Sequence, residues 1–214
     1  MTKIACFGDS LTKGSFDPEG GWPMRLDRYL RGIYVDEFGG TKHPVFNLGM
    51  DGDTTVDILK RIENEITARS KFGKPLTLIQ IGANDSSKRK GKILVPGEDY
   101  ASNLRKILEL ARPISKDVLL LGLSPCIDEK MNPSPWGNGE VSFSNKSLIA
   151  YDTVAKKIAS EMEVDFVDIM AAFKDKDLTL FTYDGLHLNQ VGQQYVADQV
   201  KKWVAEKAND FASA

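Results

Sequence analysis

The stretch Lys3-Ile4-Ala5-Cys6-Phe7-Gly8-Asp9-Ser10-Leu11 (residues 3–11) decides the fold, because a short apolar run ends there in turn-forming residues. Apolar runs of this length, rich in branched and aromatic side chains, are typical of strands that are covered on both faces. Four more runs of the same kind follow, at residues 44–48, 76–81, 117–123 and 165–169. Buried strands of this type predict a parallel sheet.

The segments between these runs change to the three- and four-residue apolar spacing of amphipathic helices, the first of them after a capping oxygen in Asp53-Thr54-Thr55. The apolar positions are Ile58, Leu59, Ile62 and Ile66; Tyr100, Leu104, Ile107 and Leu108; Leu148, Tyr151, Ala155, Ile158 and Met162; and Tyr195, Val196, Val200, Trp203 and Val204. Strands that alternate with helices require right-handed crossovers, so we predict an α/β protein with three α/β/α layers around a five-stranded parallel sheet.

Length and charge restrict the classes of partner. The chain has 214 residues, with 28 Lys and Arg against 30 Asp and Glu, for a formal net charge of −2. A chain of this length builds one sizeable core, so we predict a single domain over residues 1–214. The charge balance argues against nucleic-acid binding through bulk positive charge. We find neither a secretory signal nor the roughly 20 apolar residues of a membrane span, and we expect a cytoplasmic protein without stable membrane insertion.

Cysteine and histidine are scarce, with Cys6, Cys126, His43 and His187 as the complete set. Their scattered positions predict neither a disulfide framework nor a zinc site. No glycine-rich phosphate loop follows a strand. We therefore expect no metal and no cofactor, and nothing in the sequence sets the oligomeric state.

Polar residues follow the first three predicted strands at the point where each strand ends. They lie at residues 8–11, 47–52 and 82–85, and a fourth polar segment, residues 184–187, precedes the last helix. Parallel sheets bind ligands beyond the carboxyl ends of their strands. The sequence therefore predicts a functional site at this edge of the sheet.

The residues at this edge meet the needs of acyl transfer. A serine hydroxyl requires a base to take its proton, and the base requires a group that orients it. His43 precedes the second strand at the opposite edge, where we expect a surface loop, so His187 is the remaining histidine base. Asp184 lies three residues before His187, within reach of its Nδ1, and Ser10 follows the first strand.

An acyl-transfer site also needs donors for the oxyanion that develops on the carbonyl oxygen. The backbone N–H groups of Ser10 and Gly49 can supply two, since glycine lets a chain approach a substrate closely. The side-chain amide of Asn84 can supply a third.

The segments Gly8-Asp9-Ser10-Leu11, Gly49, Gly82-Ala83-Asn84-Asp85 and Asp184-Gly185-Leu186-His187 occur in an order that resembles the SGNH hydrolases, also called GDSL esterases or lipases. The resemblance spans nearly the whole chain. It implies Ser10 as nucleophile, His187 as base, Asp184 as its orienting partner, and Gly49 and Asn84 as oxyanion donors. It also implies a flavodoxin-like strand order of 2-1-3-4-5. Asp51 departs from the pattern, standing where many relatives carry a small residue.

The first functional hypothesis is a serine esterase that hydrolyses a small-molecule carboxylic ester through an acyl-serine intermediate. A thioesterase or lysophospholipase is the alternative within enzymes, because the basic run at residues 88–92 can meet a phosphate. The same run is also typical of a solvated loop. A catalytically idle flavodoxin-like binding domain is the alternative outside enzymes.

Two tryptophans are candidates for substrate binding. Trp22 follows the predicted nucleophile turn, and Trp136 lies in the long connection at residues 124–142, which can form a wall or flap over the site. Each can equally well pack against the domain instead.

Overall fold

A computed structural model describes residues 2–33, 35, 39–40 and 43–209. The strands are β1 (Ile4–Gly8), β2 (Val45–Gly49), β3 (Leu76–Gln80), β4 (Lys88–Arg89), β5 (Lys92–Ile93), β6 (Asp117–Leu121), β7 (Val141–Ser142) and β8 (Asp165–Val167). The helices are α1 (Ser10–Lys13), α2 (Gly21–Ile33), α3 (Thr55–Arg69), α4 (Ala83–Ser86), α5 (Gly97–Ala111), α6 (Asp128–Met131), α7 (Asn145–Glu161), α8 (Ile169–Ala172) and α9 (Gln190–Asn209), with a 3₁₀ turn at Leu178–Leu180.

The central sheet is parallel and has the order β2-β1-β3-β6-β8. Counted within this sheet alone, the order is 2-1-3-4-5, which confirms the predicted flavodoxin-like arrangement. Gly8, the last residue of β1, stands opposite Gly49 of β2 and Gln80 of β3. The segments that follow these three strands therefore leave the sheet side by side.

Alternate side chains of each strand enter two different cores. In β1, Ala5 and Phe7 pack with α3, α5 and α7 on one face of the sheet. Ile4 and Cys6 pack with α2 and α9 on the other face. Helices on both faces complete the predicted three layers, because the sheet buries apolar side chains in both directions.

Helix α2 is absent from the sequence-based expectations, and it corrects the assignment of Trp22. The Trp22 side chain is fully buried beneath the sheet, in one stripe with Leu26 and Leu30. Its indole Nε1 donates to Gln80 Oε1 at 3.2 Å. Trp22 is therefore a core residue, and the prediction that it binds substrate is wrong.

The opposite edge of the sheet holds His43. It precedes β2 there, as expected, but its side chain is buried rather than exposed on a surface loop. Since it lies at the amino end of the strand, its position still separates it from the residues that follow β1 and β3.

A small antiparallel sheet joins two long connections. Its order is β5-β4-β7, with Arg89 opposite Val141. The Lys90 N–H also donates to the Glu140 carbonyl at 2.8 Å. Residues 86–97 and 124–142 are thereby held together as one unit.

Over the part of the chain that the structure describes, none of the helices has the length and apolar character needed to cross a bilayer. Within the same residues, His, Cys, Asp and Glu side chains form no group of three or more suited to a metal ion.

Candidate active site

Ser10 is placed at the carboxyl edge of the sheet by the turn between β1 and α1. The carboxylate of Asp9 caps α1 by accepting the Leu11 N–H at 2.9 Å, which begins the helix at Ser10. Ser10 Oγ lies 3.0 Å from His187 Nε2, although the two residues are 177 positions apart in the chain. The hydroxyl therefore has a potential base within hydrogen-bond reach.

His187 is held by Asp184 through a tight turn. Gly185, with φ +106°, allows the chain to reverse between them. His187 Nδ1 lies 2.7 Å from Asp184 Oδ2, and Asp184 Oδ1 accepts the backbone N–H groups of Leu186 and His187 at 2.9 and 2.8 Å. These contacts fix the position of the carboxylate against the imidazole and orient the ring toward Ser10.

Trp136 adds a further donor to the same carboxylate. Its indole Nε1 donates to Asp184 Oδ2 at 2.9 Å, and its ring centroid lies 5.5 Å from that of His187. Burial acts to raise the pKa of Asp184, but the hydrogen bonds from His187 and the backbone outweigh it and hold the pKa well below its usual range. Trp136 therefore lines the cavity at the site, and its polar contact is to Asp184.

Asn84 lies beside Ser10 at the start of α4, directly after β3. Its side chain is buried, and Nδ2 donates one hydrogen to the Asp53 carbonyl at 3.0 Å. The amide oxygen accepts from Arg89 Nη2 at 3.4 Å. With the amide held at both ends, its second N–H is left for a ligand in the cavity.

The structure corrects the second oxyanion donor. The Gly49 N–H already donates to Asn47 Oδ1 at 3.0 Å, and a Cβ on Gly49 would lie 2.3 Å from the Lys13 nitrogen. Gly49 therefore packs against α1, and its N–H is not free for a substrate.

Gly52, three residues further on, lines the cavity instead, with φ +81°. Among the described residues, neither the Gly52 N–H nor the Ser10 N–H has an acceptor. The capping residue expected within Asp53-Thr54-Thr55 is Thr54, the N-cap of α3, but the donors predicted from the sequence did not include Gly52. The sequence did contain an indication of this donor, because a glycine lies in the turn that precedes α3.

These groups border a cavity of about 280 Å³. The apolar side chains in its walls are Leu11, Phe16, Ala83, Trp136, Phe143 and Leu186, and the charged ones include Asp9, Asp51 and Arg89. A larger cavity of about 680 Å³ lies between α7 and α8 and contains none of the residues described above. The smaller cavity is therefore the one that contains the chemistry.

Asp51 gives the cavity a polar rim. Its carboxylate pairs with Lys13 and accepts the Ser15 hydroxyl. Partial burial acts to raise the pKa of Asp51, but the bonds from Lys13 and Ser15 outweigh it and keep the pKa below its usual value. The departure from the family pattern at this position is thus compensated by a neighbouring cation.

Comparisons with known proteins identify the family of the chain. A model of the GDSL-like lipase/acylhydrolase family matches residues 6–195. The isoamyl acetate-hydrolyzing esterase 1 homolog of Homo sapiens is 24% identical over 218 residues, which cover 98% of this chain and 84% of that protein. The acetylxylan esterase of Geobacillus stearothermophilus is 28% identical over 218 residues, which cover 91% of this chain and 90% of that protein. The lipase/acylhydrolase from Enterococcus faecalis shares the fold, with a TM-score of 0.75 at 24% identity over 97% of both chains.

Proposed function

The chain belongs to the GDSL-like lipase/acylhydrolase family and is a carboxylic ester hydrolase, and on that premise we propose that it works through an acyl-serine intermediate formed on Ser10. The observation that carries this proposal is the continuous line of contacts from Ser10 Oγ to His187 Nε2 at 3.0 Å and from His187 Nδ1 to Asp184 at 2.7 Å.

In the first step, Ser10 Oγ attacks the carbonyl carbon of the ester while His187 Nε2 takes the hydroxyl proton. Asp184 accepts the Nδ1–H and stabilises the imidazolium that forms. The imidazolium then gives its proton to the alcohol oxygen as the carbon–oxygen bond of the ester breaks. A water molecule, deprotonated by His187, attacks the acyl-serine in the same way and releases the carboxylic acid.

The oxyanion of both steps needs donors that are already in place, because donors that do not have to reorganise stabilise the developing charge most effectively. We assign this role to the backbone N–H groups of Ser10 and Gly52 and to Nδ2 of Asn84. In support, the two backbone groups have no other acceptor among the described residues, and Asn84 is held by Asp53 and Arg89.

The substrate we propose is a small-molecule ester with a short acyl group. A cavity of about 280 Å³ with aromatic walls fits an acetyl group and a modest alcohol better than a long acyl chain. The names of two relatives, an isoamyl acetate-hydrolyzing esterase homolog and an acetylxylan esterase, both refer to acetyl esters.

The test compares Ser10→Ala with the wild type on 4-nitrophenyl acetate. We expect the variant to lose turnover while its melting temperature is unchanged, because the hydroxyl is required for attack. Ser102, which is exposed on α5, provides the matched control: Ser102→Ala should retain full activity. A fluorophosphonate probe should label the wild type at Ser10. Full hydrolysis by Ser10→Ala would overturn the proposal, and an unlabelled Ser10 would favour an idle binding domain.

A further inference from the structure

The hairpin formed by β4 and β5 carries four cationic residues, and they differ sharply in position. Lys88, Lys90 and Lys92 are exposed, and Lys90 pairs with Glu140 at 3.6 Å. Arg89 alone among them lines the active-site cavity, and Lys88 is directed away from it because adjacent residues of a strand point to opposite faces. The hairpin as a whole is a solvated surface, but one of its cations is directed into the site.

Arg89 has few interactions for a group of its kind. Its side chain is half-buried, and its hydrogen bond to Asn84 Oδ1 is long, at 3.4 Å. In the described part of the chain, no carboxylate lies within ion-pair distance of its guanidinium. A guanidinium carries five N–H donors, so most of the donors of Arg89 remain without a protein acceptor.

A cation placed in this way is unfavourable in the absence of a ligand. Partial burial removes water from the guanidinium and lowers the pKa of Arg89. Buried charges are normally paired. Arg89 is also the only arginine or lysine among the described residues that line the cavity, so an anion in the cavity would have this one partner.

We propose that Arg89 binds an anionic group of the substrate, a carboxylate or a phosphate, and so makes the enzyme selective for anionic esters. The planar fork of the guanidinium matches two oxygens of either group. This inference rests on the proposed esterase function and specifies its substrate class.

The carboxyl groups of the cavity do not oppose an anion there. Asp51 is paired with Lys13, and Asp184 lies behind His187, outside the residues that line the cavity, with its Oδ2 in contact with His187 and Trp136. Asp9 is buried, which raises its pKa to about 7, so it is partly neutral near neutral pH. Of the two carboxyl groups that line the cavity, Asp51 is therefore paired and Asp9 is partly neutral, whereas Arg89 has no carboxylate partner among the described residues.

The experiment measures kcat/KM for two matched pairs of acetate esters. The carboxylate pair is 4-acetoxybenzoate and its neutral methyl ester, and the phosphate pair is 2-acetoxyethyl phosphate and neutral 2-methoxyethyl acetate. The wild type is compared with Arg89→Gln, with Arg89→Lys, and with Lys88→Gln, which removes a charge from the adjacent exposed position. We expect Arg89→Gln to lower the anionic-to-neutral ratio of kcat/KM about 10- to 100-fold in at least one pair, the range for one charged hydrogen-bonded contact.

Lys88→Gln should leave both ratios unchanged, and Arg89→Lys should restore part of the ratio because it keeps the charge but loses the fork. The pair that responds identifies carboxylate or phosphate as the ligand. An equal loss on neutral and anionic esters would show that Arg89 only orients Asn84, and unchanged ratios would show that it contacts no anion. Either result overturns the proposal.

A binding measurement separates this proposal from that of the triad. Calorimetric binding of 4-acetoxybenzoate and 2-acetoxyethyl phosphate to Ser10→Ala should weaken about tenfold or more when Arg89→Gln is added. This readout does not depend on turnover. If Ser10→Ala still hydrolyses esters, the triad is wrong while the selectivity ratios still test Arg89.

Discussion

Two largely buried carboxyl groups flank the Ser10–His187 pair, and they differ in how many N–H groups reach them. Asp184 accepts from Trp136 Nε1, from the His187 ring and from two backbone N–H groups. Asp9 accepts a single backbone N–H, that of Leu11, among the residues described. Burial disfavours the charged form of both groups.

The outcome is opposite at the two positions. The pKa of Asp184 is held well below its usual range, whereas burial raises the pKa of Asp9 to about 7. Hydrogen bonds to the anion thus decide which carboxyl group keeps its charge. Of two aspartates on the same edge of the sheet, Asp184 can therefore serve as an anion while Asp9 serves as a helix cap.

The largest effect should come from replacing the carboxylate that keeps its charge. Asp184→Asn removes the charge and favours the wrong imidazole tautomer, so we expect kcat to fall by up to about 10⁴-fold. Steady-state hydrolysis of 4-nitrophenyl acetate measures it, with Asp175→Asn, an exposed aspartate, as the control. An unchanged rate would mean that another group orients His187.

A smaller effect should follow from removing one of the N–H groups that donate to the Asp184 carboxylate. Trp136→Phe keeps an aromatic ring but loses the N–H that donates to Asp184 Oδ2, so the carboxylate is held less firmly against His187. We expect kcat/KM to fall about tenfold, in the range of one hydrogen bond to a charged group.

Trp203→Phe is the matched control for this change. Its Nε1 donates to Asp165 Oδ2 at 2.7 Å, which is the same kind of bond on α9, outside the site. The control should leave kcat/KM unchanged. An unchanged kcat/KM in Trp136→Phe as well would show that Trp136 is only a wall of the cavity.

The smallest effect on activity, and a gain in stability, should come from Asp9→Asn. The native pKa of about 7 lies above the unfolded value of 3.8, so the native state keeps a proton that the unfolded chain releases. The contribution of Asp9 to stability is fully present below about pH 4 and is lost as the pH rises to about 7. An asparagine at this position does not titrate, so the variant would avoid this loss. The gain in the free energy of unfolding at pH 8 is at most about 4 kcal/mol.

Urea unfolding of wild type and Asp9→Asn at pH 4 and pH 8 checks the sign. We expect a clear gain in the free energy of unfolding at pH 8 and little change at pH 4, because an asparagine can still accept the Leu11 N–H. A variant that is less stable at pH 8 would show that the charged form of Asp9 is favoured in the native state.

Much of the fold follows from periodicity alone. The five apolar runs became the five strands of the central sheet, with ends that differ by one or two residues. Helix α2 escaped because Gly20, Gly21 and Pro23 are typical of a turn. Proline is tolerated in the first turn of a helix. The four-residue spacing of Trp22 and Leu26 is typical of a helix and could have indicated α2.

The sequence predicted those site residues whose positions follow from the order of the strands. It missed those whose positions depend on the conformation of a single loop. Ser10, Asn84 and the Asp184–His187 turn follow strands or precede a helix, so the sheet brings them together. Gly49 ends β2 and Gly52 follows it three residues later, and which N–H faces the cavity depends on the turn between them. Likewise, Arg89 lines the cavity while Lys92, its partner in the β4–β5 pairing, does not, so the local path of the hairpin decides which cation enters the site.

The distance along the chain between Ser10 and His187 has a consequence for biosynthesis. The Ser10–His187 contact joins residues 177 positions apart, and α9 is tied to the start of the chain by Gln193, which bonds Leu11 and Trp22. Contacts of such long range form slowly, because closing a long loop costs entropy before the contact stabilises it. A nascent chain therefore has no assembled nucleophile until its last helix has been made, and hydrolysis becomes a direct readout of completed folding.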